Sequence, residues 1–406
     1  MCITMIPKAY QIETAEQGTA LLKKYGLVYL SDQERVGKTL PSLMILENVK
    51  ARKVLVLTKK QAIGGWLETI RKYEYGGDIT VTNYHQAVHL LPEYSMVILD
   101  ESHNYISSFT LSNPQRSKIW HSVKKLTRKV PIIFISATPN AQGYHLLYNQ
   151  FALSTYSPYR EWNTPALWFK EFGIPRSIMI NTILIKQYDK VKNEAWDVVK
   201  HLFISKTREE VGFDQEPEDK VHYVELADKT KLVYNTLTKH KSIRINGEYL
   251  TCDSTGKLRS ALHMIEGGVV ITTVDKKLEY RVLGNTEKID YIKETWGDTE
   301  DVVIMYFYKA ERTKLESHFH KATILQSSRY AEGVDLHKFR TLVVYSMDFS
   351  TAKYTQRRAR QANMKRVEPI TVHYLLATKA ISDQVYTAVA KNKTNFVDRL
   401  YTREML

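Results

Sequence analysis

Leu27-Val28-Tyr29-Leu30-Ser31-Asp32-Gln33-Glu34-Arg35-Val36-Gly37-Lys38-Thr39 decides the fold of the first part of this chain. The apolar run Leu27–Leu30 predicts a buried strand, and Pro41–Val49 predicts a helix. A loop ending in Gly-Lys-Thr joins them. Strand, loop and helix in that order cradle the phosphates of a nucleoside triphosphate, because loop N–H groups and the helix amino end converge on one anion. The full phosphate-loop signature wants a glycine five residues before Gly37, where this chain has Asp32. The chemistry needs less: Lys38 brings a point charge to the outer phosphates and Thr39 a hydroxyl to magnesium. Taken alone, the tripeptide could equally be a chance turn.

Further along, Arg52–Thr58 is dense in Val and Leu, as a strand buried on both faces should be. Met96–Leu99 predicts another strand, and it delivers Asp100-Glu101-Ser102-His103. Ligands of open parallel sheets gather at the carboxyl ends of strands, so Asp100 is the expected magnesium ligand and Glu101 the base that orients water. His103 suits a hydrogen-bonding or coupling role better than ligation, since magnesium prefers oxygen. Pro131–Ile135 is a further strand, followed by Ser136-Ala137-Thr138-Pro139. Its hydroxyls could link the triphosphate site to a second surface or simply cap a turn. Lys59, Lys60, Thr82 and Tyr84 follow strands and are candidate contacts to a nucleic-acid backbone, with plain loop chemistry as the alternative. Between Leu147 and Arg176 the aromatic residues favour packing over base stacking.

In the second half, Lys186–Phe203 reads as helical and Val221–Leu226 as a strand. Lys241–Val282 holds short β-prone pieces, with a hairpin predicted over Val269–Leu283. Strands at Val302–Phe307, Thr323–Gln326, Thr341–Tyr345 and Val367–Leu376 alternate with helical stretches, the pattern of a second α/β domain. Ser328, Arg329, Gly333 and Asp335 follow one of those strands. Gln356-Arg357-Arg358-Ala359-Arg360 is a basic helical stretch, able to reach a triphosphate across a cleft or to form a nucleic-acid patch.

The chain has 406 residues, is 43% hydrophobic and 25% charged, and carries a formal net charge of +14. Length predicts at least two domains, and the charge favours a polyanionic partner. Two cysteines, Cys2 and Cys252, exclude a disulfide framework and a four-cysteine zinc site. No apolar stretch reaches about 18 residues, so no membrane span or membrane partner is expected, and an intracellular, cytoplasmic setting fits.

Together these motifs resemble superfamily 2 helicases and translocases, most of all compact Snf-type, chromatin-remodeller-like ATPases. Tyr10-Gln11 resembles the family's adenine-reading element. Asp32 through Thr39 is similar to its Asp-Glu-x-Gly-x-Gly-Lys-Thr loop, with departures at Gln33 and Arg35. Asp100–His103 resembles the Asp-Glu-x-His box and Ser136–Thr138 the Ser-Ala-Thr coupling box. Gly333-x-Asp335-Leu336 looks like motif five, and Gln356-x-x-Ala359-Arg360 like motif six, with Asn363 where the family usually has another arginine. The resemblance implies two RecA-like parallel-sheet domains in tandem, with a small β-containing excursion in the second half. The expected division is residues 1–150, an aromatic-rich connector over 151–185, and residues 186–406 with the excursion near 205–295. It also implies ATP and Mg2+ bound by Tyr10, Gln11, Asp32, Gly37, Lys38, Thr39, Asp100, Gly333 and Asp335. Lys38, Glu101, Arg357 and Arg360 become the catalytic set, and His103, Ser136, Thr138 and Gln356 the coupling set. Ser328 and Arg329 join Lys59, Lys60, Thr82 and Tyr84 on the nucleic acid. Duplex or branched DNA is the favoured partner, RNA the alternative, and a non-catalytic nucleic-acid scaffold a third reading. The small size suggests a bacterial, viral or mobile-element setting.

Overall fold

The computed structural model describes residues 6–34, 36–111, 117–140, 143–180, 183–212, 218–245, 247–274, 277–327, 339–349 and 371–390. They fall into two compact units, one reaching to Gly212 and one beginning at Phe213.

In the first unit, β1 (Leu27–Leu30), β2 (Lys53–Thr58), β3 (Asp78–Asn83), β4 (Met96–Asp100) and β5 (Ile132–Ile135) build a parallel sheet. A hairpin of β6 (Arg176–Ile180) and β7 (Ile183–Gln187) stands outside it, and β8 (Phe203–Ile204) returns beside β1. The spatial order is β3-β2-β4-β5-β1-β8. Successive strand residues point to opposite faces, which divides the apolar strands between two cores. Val28, Leu30, Val54, Val56, Ile98 and Ile133 pack under α1 (Ala9–Tyr25), α2 (Thr39–Asn48) and α3 (Ile63–Tyr73). On the other face Tyr29, Leu55, Leu99 and Phe134 meet α4 (His103–Ile106), α5 (Lys118–Thr127), α6 (His145–Phe151), α7 (Pro165–Phe172) and α8 (Glu194–Asp197).

Two expectations change here. The aromatic stretch does not stand apart as a connector: Tyr148, Phe151, Tyr159, Trp168 and Phe172 belong to the second of those cores. The boundary therefore moves to Gly212, because β8 completes the first sheet. The long helix expected over Lys186–Phe203 is replaced by β7, the short α8, a 3-10 turn at Lys200–Leu202 and β8. Its apolar residues serve a strand end and a cap on the aromatic core rather than one helical stripe.

The second unit is also parallel, in the order β15-β14-β16-β17-β9. The strands are β9 (Glu218–Val224), β14 (Val302–Tyr306), β15 (Thr323–Gln326), β16 (Thr341–Val344) and β17 (Thr371–Ala377). Between β9 and β14 come α9 (Asp228–His240), α10 (Thr255–Glu266), α11 (Glu287–Thr295) and two antiparallel hairpins, β10–β11 (Ser242–Ile245, Glu248–Thr251) and β12–β13 (Val269–Val274, Lys277–Val282). That is the anticipated β-containing excursion. α12 (Lys309–Glu316) follows β14. The two parallel sheets match the expected pair of parallel-sheet α/β domains in tandem. No described helix is long and apolar enough to cross a membrane.

Candidate active site

The residues singled out in the first half converge on the carboxyl edge of the first sheet. Ser31–Lys38 leaves β1 and runs into α2. Lys38 is the residue preceding α2, and Gly37 has φ +93°, a left-handed conformation that favours glycine. The Lys38 Nζ turns back to donate to the carbonyls of Asp32 at 2.7 Å and Gln33 at 3.0 Å. The loop is held from both sides. Tyr10 Oη donates to Val36 O at 2.7 Å, and Gln11 Nε2 to Gly37 O at 3.2 Å. Both residues sit in the first turn of α1. Gln33, where the loop departs from its family pattern, is tied to the segment after β8: its N–H donates to Lys206 O and its Oε1 accepts from Arg208 N.

Asp32 is 1% exposed, and its Oδ1 is buried with no hydrogen-bond partner among the described residues. Burial pushes its carboxyl up to about 6, against the opposing pull of Lys38. Asp100, the last residue of β4, accepts on Oδ2 from Thr58 Oγ1 at 2.6 Å and from Trp66 Nε1 at 2.9 Å. Burial raises its pKa, while those two donors and the charges of Lys38 and Lys59 favour the carboxylate. Lys38 and Asp100 therefore act on one another across the sheet edge. Both donors use one oxygen, which leaves Oδ1 as the natural metal-facing atom, and magnesium needs only one or two carboxylates beside water and phosphate. Thr39, in the first turn of α2, is half-buried on the same edge. The donor set fits Mg2+.

Glu101 has φ +52°, left-handed backbone in a non-glycine residue, with its N–H fixed on Ile135 O at 2.7 Å. Such strain, on the order of 1 kcal/mol, concentrates at functional positions. The turn it makes aims the next residues at β5. His103 Nδ1 lies 2.8 Å from Ser136 Oγ and 3.4 Å from Glu101 Oε2, and Ser136 Oγ accepts from Thr138 N at 3.0 Å. Burial first, and Lys59 second, lower the His103 pKa to about 3, so the ring is neutral. With the Asn104 amide donating to Nε2 at 2.9 Å, the fitting tautomer carries its proton on Nδ1. The acid box and the Ser-Ala-Thr box are thus joined by hydrogen bonds through His103. Thr138 Oγ1 is also buried, with no partner among the described residues.

Lys60 is exposed beyond β2 and Thr82 is half-buried near the end of β3, while Lys59 is only 8% exposed. Tyr84 is corrected from a nucleic-acid contact to a brace. It is 0% exposed, stacks on Tyr105 at 4.3 Å, and donates to the Asp100 carbonyl at 2.9 Å. Ser328, Arg329, Gly333, Asp335, Gln356, Arg357 and Arg360 lie outside the described residues.

Two contributors were missed in the sequence. Trp66 supplies an indole donor to Asp100, and its signal was an aromatic residue directly after Gly64-Gly65 on the helix that follows β2. Gln150, fully buried on α6, accepts from Ser102 Oγ and Tyr29 Oη on Oε1 and donates from Nε2 to Pro139 O. No local pattern marks it, because its partners are 48 and 121 residues away.

The chain is similar in fold to SWI2/SNF2 ATPase cores. One is the Sulfolobus solfataricus SWI2/SNF2 ATPase core in complex with dsDNA, at 16% identity over 99% of this chain and 94% of that one, with a TM-score of 0.44. Another is the Sulfolobus solfataricus SWI2/SNF2 ATPase core domain, at 15% identity over 98% and 91%, with a TM-score of 0.41. No family model and no curated protein matches the chain. The functional reading rests on the side chains of the site.

Proposed function

We propose that this protein hydrolyses ATP in response to DNA and uses the cycle to move along duplex or branched DNA as a translocase of the Snf-type. The observation that carries the reading is the convergence, at one sheet edge, of the Lys38 ammonium, the amino end of α2 and the Asp100–Glu101 pair. Lys38 leaves the carbonyls of Asp32 and Gln33 to take the outer phosphates of the substrate. Asp100 and Thr39 would hold Mg2+, which supplies charge neutralisation on the phosphates. Glu101 orients and deprotonates the attacking water. Arg357 or Arg360 contacts the γ-phosphate. His103 passes changes at Glu101 to Ser136 and Thr138, and Lys59, Lys60, Thr82, Ser328 and Arg329 hold the strand by its backbone. Backbone contacts make the sequence preference weak and the salt dependence steep.

The test is ATP hydrolysis alone and then with duplex, forked and single-stranded DNA and with RNA. Stimulation by DNA and not by RNA is expected. Stimulation by RNA alone makes the protein an RNA-dependent motor. Tight binding to nucleic acid with no stimulation by any of them overturns the enzymatic reading in favour of a scaffold.

A further inference from the structure

A cavity of about 600 Å³ opens in the first unit on the edge opposite the candidate active site. Its lining residues precede the strands: Gly26 before β1, Arg52 before β2, Ser95 before β4 and Pro131 before β5. The phosphate loop and Asp100 follow their strands. In a parallel sheet these are two separate edges, so the cavity is no extension of the nucleotide site.

Four cations, Lys23, Lys24, Lys50 and Arg52, line it, and no carboxylate does. All four are exposed. Lys24 sits over the Tyr25 ring at 4.9 Å, and the positive potential reaches a neighbouring group: His201, 4.7 Å from Tyr25 between ring centroids, has its pKa lowered by burial and then by Lys24. Lys50 has φ +56°, so a lysine occupies a left-handed position that glycine would fill with less strain. Beneath the cations the lining is apolar, with Leu22, Val49 and Met96. Tyr156 stays 44% exposed although its ring covers Gly26 so closely that a Cβ there would meet it at 2.6 Å. The bland account is that Lys23 and Lys24 merely complement the carboxyl end of α1. It does not explain Lys50, Arg52 or an open aromatic ring in the same cavity.

We propose that this edge is a second nucleic-acid contact. The phosphates of a single strand lie on Lys23, Lys24, Lys50 and Arg52, and one base enters the cavity against Tyr156. Cationic rim, apolar floor and aromatic face are the parts from which sequence-tolerant single-strand sites are built. Charge complementarity selects this occupant: a rim of four cations with no acid suits a polyanion.

The experiment compares the full chain with K23Q/K24Q/K50G/R52Q in binding a fluorescent single-stranded oligothymidine across a salt series. Four phosphate contacts contribute about 3 to the slope of log affinity on log salt for a single strand. That loss of slope is the expected result, with ATP hydrolysis in the absence of nucleic acid unchanged. An oligonucleotide carrying a photoreactive thymine analogue should crosslink to Tyr156 in the unmodified chain, and Y156A should lose the crosslink. K23R/K24R/K50R, which keeps the charge, should bind as the unmodified chain does and so separates charge from folding. An unchanged slope overturns the proposal. So does retained oligothymidine binding alongside lost binding of an oligoglutamate peptide, which would make the edge a protein-docking surface.

Discussion

Both units are parallel sheets, and both keep ionisable side chains near strand ends, yet the two sets are treated in opposite ways. In the first unit Asp32 Oδ1 and Thr138 Oγ1 are buried with no partner among the described residues, and Lys38 rests on loop carbonyls that a stronger anion can displace. In the second unit the buried charges face one another, although Glu311 Oε1 too has no hydrogen-bond partner among the described residues. Glu311 accepts from Phe307 N, Tyr308 N and Ser346 Oγ, and Glu266 accepts from Ile381 N and Ser382 N. Lys288, 1% exposed, donates to Tyr345 O and faces both carboxylates. Lys314 donates to the carbonyls of Gly268, Leu283 and Asn285. A lysine resting on displaceable loop carbonyls is available for chemistry, whereas a buried lysine facing two carboxylates serves structure.

That contrast is broken most sharply by exchanging one lysine from each set. K38A removes the charge that binds the outer phosphates, and the expected loss of ATP hydrolysis is about 10³-fold or more, as for other electrostatic groups at a transition state. Its urea midpoint should hardly move. K288M does the reverse: two buried carboxylates lose their cation, and the expected destabilisation is about 3–5 kcal/mol in urea unfolding of the full chain. If K38A costs stability and K288M does not, the division into chemical and structural charge fails. E101Q sharpens the first half: nucleotide should still bind, measured by filter retention, while turnover stops. Normal turnover in E101Q removes Glu101 as the base.

The pH dependence separates the sets on a finer scale. Asp32 binds its proton more tightly in the folded chain, with a pKa of about 6 against an ordinary 3.8. Its contribution to stability is therefore fully present below the ordinary value and is lost as pH rises through about 6. D32N removes this dependence, so its stability relative to the unmodified chain should rise between pH 4 and pH 7, by at most about 3 kcal/mol. Glu311, raised by burial to about 7, has the same sign, and E311Q should show its relative gain over a window that ends about one pH unit higher. Thermal unfolding at matched pH values reads both.

The sequence made the candidate site legible because its parts are local: Gly37-Lys38-Thr39, Asp100–His103 and Ser136–Thr138 each follow or end an apolar strand. Both alternating cores could likewise be anticipated from continuous Val, Ile and Leu runs. What stayed hidden depends on residues distant in the chain. β8 is two residues long and becomes a strand only because β1 has an open edge beside it. Gln33, which looked like a lapse in the loop, is explained by Arg208 N, 175 residues away. Trp66 is near Asp100 only once β2 and β4 are neighbours.

Tyr84 gives the smallest effect and the most direct test of how a residue was misread. A tyrosine hydroxyl after a strand suggests a backbone phosphate contact, yet here the ring is enclosed and its hydroxyl fixes the Asp100 carbonyl one residue before the left-handed Glu101. Y84F keeps the ring on Tyr105 and deletes only that donor. The expected cost is about 1 kcal/mol of stability for one lost hydrogen bond, with a modest fall in kcat as the Asp100–Glu101 turn loosens. The affinity for nucleic acid and its salt dependence should not change, whereas K60A, at an exposed position on the same edge, should lower the salt slope. A Y84F chain that unfolds like the parent but binds DNA more weakly would place the hydroxyl on the strand after all. The brace would then have to come from Thr58 and Trp66 alone, and the carboxylate they hold would be the only part of β4 fixed for catalysis.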